Sequence, residues 1–141
     1  MDLKECFRKG LIKKTKVRIP LINSLLEISK IKEIAVRGAK IDEVNISAYT
    51  SLAYDSLREV LEAFCILNGY KVFSHFCIGE LLNLLIKDFN YNEFYRIRQI
   101  RNSINYYGKK IEFKQGKGVI NKIFKMKENL IKKYFSHFLD S

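Results

Sequence analysis

The chain has 141 residues, 48% of them hydrophobic and 13% aromatic, and its 26 Lys and Arg against 15 Asp and Glu give a formal net charge of +11. That length can bury one core and is short for two, so a single domain over residues 1–141 is expected. One proline, seven glycines and the lack of short alternating runs argue against an all-β fold, and nowhere do eighteen apolar residues run without a charge, which excludes a membrane-spanning helix.

The surplus of positive charge creates a field that attracts polyanions such as nucleic acid, although lysines spread along helices also serve simply as a solvated face. Cys6, Cys65 and Cys77 are odd in number and share no C-x-x-C spacing. With no N-terminal apolar run before a small-residue cleavage site, they favour a reducing, cytoplasmic setting. Cys65 and Cys77 fall within apolar helical patterns and read as small core hydrophobes. Two histidines and three scattered cysteines offer no metal-ligand spacing, and neither a metal nor another cofactor is expected.

Residues 1–19 carry Lys4, Arg8, Lys9, Lys13, Lys14, Lys16 and Arg18 around Leu3, Phe7, Leu11 and Ile12 at helical spacing, and predict a basic amphipathic helix. Pro20 blocks its continuation. A second helix follows with Leu21, Ile22, Leu25, Leu26, Ile28, Ile31 and Ala35 as its apolar face and Gly38 as its stop; the alternative is one kinked helix through both segments. These first 40 residues form a basic N-terminal region ahead of a core at 44–139. In that core Ser47 is positioned to cap a long helix reaching about Asn68, with Tyr49, Ala53, Leu57, Val60, Phe64 and Leu67 inward and Asp55, Arg58, Glu59 and Glu62 on the other side.

Gly69 ends that helix, and Ser74 is the next cap, for a helix burying Cys77, Leu81, Leu84 and Leu85 and stopping near Asp88. After the loop DFNYN comes the segment RIRQIRNSINYYG, residues 96–108. The Gly116–Gly118 stretch, GKG, reads as a flexible linker rather than a phosphate loop, because no strand precedes it. A last helix places Ile120, Ile123, Phe124, Leu130, Ile131, Tyr134 and Phe138 inward and Lys122, Lys125, Lys127, Lys132 and Lys133 mostly outward. Short connections between long amphipathic helices predict an all-α, antiparallel bundle of four to five helices.

A helical projection of this segment and the lysine after it sets Ile97, Ile100, Ile104 and Tyr107 on one stripe, the core side, with Arg98, Asn102, Asn105 and Lys109 opposite and Arg101 at the border. Asn102 and Asn105 are poor helix formers in an exposed interior, and clustered arginines repel one another unless an anion is near. Two partners fit them. A phosphate matches the planar donor fork of arginine; equally, Asp55, Glu59 or Glu62 of the long helix could supply an internal carboxylate network. His75 at a helix N-terminus, where the dipole lowers its pKa, reads as a capping or packing residue, and His137 as a surface or core-edge histidine.

The segment RNSINYYG, after LNGY at residues 67–70 and SHFCIGELL at residues 74–82, resembles the HEPN superfamily, named for higher eukaryotes and prokaryotes nucleotide-binding. The resemblance covers about residues 44–139 and implies a helical bundle. Its hallmark is an arginine, often followed by asparagine, with a histidine four to six residues on. Arg101 and Asn102 match the first two, while Tyr106 stands at the histidine's place. The resemblance implies an RNA or nucleotide ligand held by Arg98, Arg101, Asn102, Asn105 and Tyr106. It further implies a homodimer whose motif helices face each other, and a nucleotidyltransferase or a toxin–antitoxin pairing as context. A metal-independent ribonuclease using Arg101 and Tyr106 is the catalytic alternative, and a purely structural dimerisation bundle is the third. Tyrosine, with a reference pKa of about 10, is a poor general base at neutral pH, so the substitution favours binding over cleavage.

Overall fold

The computed structural model describes residues 1–138, so the last residue of the expected 44–139 core and residues 140 and 141 lie outside the described residues. Over the described residues the protein is mostly helical, as expected, but with six α-helices in place of four to five and with one small ribbon: α1 (Leu3–Arg8), β1 (Ile12–Lys14), α2 (Ile19–Gly38), α3 (Ile46–Leu67), β2 (Tyr70–Val72), α4 (His75–Leu85), α5 (Tyr91–Tyr107) and α6 (Phe113–Tyr134), followed by a 3-10 turn at Ser136–Phe138.

The basic N-terminal helix does not run to residue 19. Asp2 caps α1 by accepting from the Glu5 N–H at 3.0 Å, and Gly10, at φ 72°, turns the chain in a left-handed conformation that other residues rarely adopt. The segment beyond it becomes β1, which pairs antiparallel with β2 in the register Ile12↔Val72, Lys13↔Lys71, Lys14↔Tyr70. Ile12 and Val72 are buried by this pairing. The helices on either side of the ribbon are joined covalently, because Cys6 of α1 and Cys77 of α4 form a disulfide. This corrects the reading of Cys77 as a plain core hydrophobe and removes the argument for a reducing setting from cysteine number; Cys65 is the buried free thiol. Among the described residues no helix is long and apolar enough to cross a membrane.

Helix α3 is the central element. It packs against α2 and α6 most extensively and also against α4, α5 and β2, which is why its polar positions are drawn into the core: Thr50, Ser56 and Glu59 are buried there. Its cap is Asn45 rather than Ser47; the Ser47 hydroxyl instead accepts from the Ile111 N–H at 3.0 Å and ties down the approach to α6. Pro20 sits in the first turn of α2, where its missing N–H is harmless. Ile28, Ile31 and Ala35 of α2, assigned to its core face, are exposed, because α3 covers only the Ile22, Leu26 and Val36 side. Leu84 of α4 is likewise exposed, with Ile78 and Leu82 taking inward positions beside Cys77 and Leu81.

The GKG stretch is helical. Gly116 is buried in the first turns of α6 against Ile46, where an added Cβ would collide with the isoleucine side chain, so the glycine serves close packing rather than flexibility. Lys127 is the second reversal on α6. It is 1% exposed, with its ammonium 2.8 Å from Glu33 and 3.3 Å from the Ser29 carbonyl. Burial lowers its pKa while the Glu33 carboxylate pulls the other way.

Candidate anion-binding groove

Helix α5 starts at an Asn90 cap, whose side chain accepts from the Glu93 N–H at 3.1 Å, and ends at Gly108 in a left-handed conformation, φ 62°. Phe94 and Ile97 anchor it in the core, while Ile100 and Ile104 are only half-buried. Tyr107 is 79% exposed, which corrects its assignment to the core stripe. The buried residues of α5 lie in its first half, and its last turn, Asn105 to Tyr107, is exposed throughout.

The arginines of the helix have separate fates. Arg101 is 12% exposed and its Nη2 reaches Asp55 at 3.3 Å; its guanidinium lies 5.3 Å from the Tyr54 ring and 6.0 Å from the Tyr106 ring. Asn105 completes that arrangement: with its amide turned to suit both neighbours, the oxygen accepts from Arg101 Nε at 3.2 Å and the nitrogen donates to Ser51 at 2.9 Å. The internal carboxylate partner weighed for this pair is thus present, and it is Asp55. Glu59 is instead bonded to Lys32, with Ser29 and Lys127 nearby in the core, and Glu62 lies 3.7 Å from Arg58.

Arg98 has no carboxylate partner among the described residues. Its guanidinium lies 5.5 Å from the Phe76 ring and 6.0 Å from the Tyr95 ring, and its Nε is buried with no hydrogen-bond acceptor. Together with Asn102 and Tyr106 it forms one wall of a groove of about 330 Å³, whose other wall is Phe73, Ser74, His75 and Phe76. The α4 side of the groove is set by the β ribbon, which delivers the chain to Ser74, the α4 cap. The Ser74 side chain makes no capping bond, which leaves first-turn N–H groups of α4 without a side-chain acceptor at this wall. Tyr106 and Phe73 are 67% and 59% exposed at the rim.

His75, distant in sequence from the arginine motif, is therefore part of the same wall system. Its Nε2 lies 3.2 Å from Arg58 Nη1; an arginine can only donate, so Nε2 accepts and the ring proton resides on Nδ1. Burial, followed by the fields of Arg58, Arg101 and Arg98, depresses its pKa to about 4. His137, by contrast, is exposed, with its ring tilted against Phe138 at a centroid distance of 4.3 Å.

Of the five ligand residues expected from sequence, the fold brings Arg98, Asn102 and Tyr106 into one groove and turns Arg101 and Asn105 toward α3. Sequence reading missed Phe73, Ser74 and Phe76, and undervalued His75 and Arg58. The available signal was SHF a few residues beyond the Gly69 helix stop, but only the β1–β2 pairing decides which wall it joins. A larger hollow of about 650 Å³ lies between α2 and α6, where Lys127 and Arg37 are already engaged with Glu33. Among the described residues no group of three His, Cys, Asp or Glu side chains is placed to hold a metal ion. No protein-family model, no curated protein and no solved structure matches the chain.

Proposed function

We propose that the protein is an RNA- or nucleotide-binding module of HEPN-like build that holds phosphate in the α4–α5 groove. The observation that carries this reading is Arg98, a guanidinium at the groove wall with no carboxylate among the described residues and a buried Nε without an acceptor. Buried donors without partners are uncommon, and phosphate oxygens satisfy several guanidinium N–H groups at once. Asn102 adds an amide, His75 an Nδ1–H donor, and the exposed rings of Phe73 and Tyr106 give surfaces on which bases stack. Arg101 acts from behind, through its contribution to the positive field, while its own bonds go to Asp55 and Asn105.

Binding is favoured over catalysis by the state of the one histidine in the groove. A general base needs a free lone pair near neutral pKa, and the His75 lone pair is engaged by Arg58. The ribonuclease using Arg101 and Tyr106 and the purely structural bundle are the competing readings. A nucleotidyltransferase partner and a toxin–antitoxin context rest on the family resemblance.

The test is a metal-free titration against fluorescent single-stranded RNA, with binding and fragment length read from the same samples. Arg98→Ala removes charge-assisted bonds of roughly 1.5–3 kcal/mol, so affinity should fall about 10- to 150-fold with an unchanged circular dichroism spectrum. Unchanged affinity in Arg98→Ala would overturn the groove assignment, and fragments formed by the parent but not by Arg101→Ala would establish the ribonuclease instead.

A further inference from the structure

Helix α2 turns a second face to solvent. Ser24, Ile28, Ile31, Ala35 and Gly38 recur at intervals of four, three, four and three residues and are all exposed, Ile28 at 45% and Ile31 at 54%. This is the heptad spacing by which one helix seats against another. The stripe carries no charge in a chain of net charge +11. Every charged residue of α2, from Glu27 to Arg37, lies off it, whereas a merely solvated helix face of so basic a chain would be expected to carry lysine. Among the described residues no element of the chain covers it.

We propose that this stripe is the contact between two copies of the chain, paired antiparallel through α2. Three observations select a second copy as the occupant. First, the spacing asks for a helix. Second, the central residues read the same from either end, small, isoleucine, isoleucine, small; a two-fold axis between Ile28 and Ile31 therefore packs Ile28 on Ile31 twice, with Ser24 on Ala35 at each end, which is the self-complementarity of an isologous contact. Third, the same axis sets the flank of each helix that carries Glu27 and Lys30 along the same flank of the other. Both are exposed, and neither has an ion-pair partner among the described residues. The other charges near the stripe are neutralised locally, Lys32 by Glu59 and Arg37 by Glu33, so two strongly basic chains meet at a patch of nearly balanced charge.

This pairing uses none of the groove residues, so each protomer keeps a complete anion site and no shared motif cleft is required. It differs from the facing motif helices implied by the family resemblance.

Sedimentation equilibrium over a concentration series tests the proposal, with the parent compared to Ile31→Lys, a change at an exposed position. The parent should approach twice the mass of the chain, and Ile31→Lys should dimerise at least about 10-fold more weakly while binding RNA as the parent does. Mild oxidation of Ile28→Cys mixed with Ile31→Cys should give a disulfide-linked dimer, and either variant alone should give little. A parent that stays monomeric at every concentration, a dimer indifferent to Ile31→Lys, or equal cross-linking in the single and mixed samples would overturn it.

Discussion

His75→Gln should flatten the loss of stability that the parent shows between pH 7.5 and pH 5. The folded protein holds this imidazole at a pKa of about 4 against an ordinary 6.5, so the unfolded chain binds the proton first. Stability is therefore complete above the unfolded value and is lost as pH falls from 6.5 toward 4. With those two values, linkage gives a loss of about 2 kcal/mol at pH 5. The ring is only half-buried, and solvent screening reduces the figure to about 1 kcal/mol. Glutamine keeps an acceptor for Arg58 without a titrating group, so it should retain most of the packing and abolish this part of the pH dependence. Urea denaturation at pH 7.5 and pH 5.0 reads both quantities above the range in which most carboxylates titrate. If the parent and His75→Gln lose equal stability over that interval, the assignment of a neutral, arginine-flanked His75 is wrong.

Lys127→Met should destabilise the protein by about 3 kcal/mol, the low end for breaking a buried pair, because Glu33 keeps its bond to Arg37 and part of its hydration. Adding Glu33→Gln should recover much of the loss in thermal melts; an additive double variant would refute the coupling. Reduction of the Cys6–Cys77 disulfide, which joins positions 71 residues apart, should lower the urea midpoint by an amount equivalent to about 2–4 kcal/mol. The native, unreduced protein should show no fast-reacting thiol, since burial pushes Cys65 up to about 12, and one thiol should appear on unfolding without reductant. Two further thiols in that sample would exclude the disulfide.

The sequence by itself determined the helical class, the start of α2 at Pro20, the start of α4 after Ser74 and the extent of α5 to Gly108, because these follow from local periodicity and backbone preferences acting within a few residues. Tertiary structure decided what depends on partners far away in the chain. The three-residue strands β1 and β2 are too short to announce themselves and exist because each satisfies the other's backbone. Cys6 and Cys77, 71 residues apart, meet through the packing of α1 against α4 on either side of that ribbon. Lys127 and Ile31 show the same limit from opposite sides: periodicity sets the lysine outward and the isoleucine inward, but Glu33 and the Ser29 carbonyl solvate one in the core and α3 leaves the other uncovered. The arginine cluster was visible as a cluster. Only the fold could assign Arg101 to Asp55 and leave Arg98 without a carboxylate at a groove, because a guanidinium's role is fixed by which anion lies within reach, and that is a property of the packed helices.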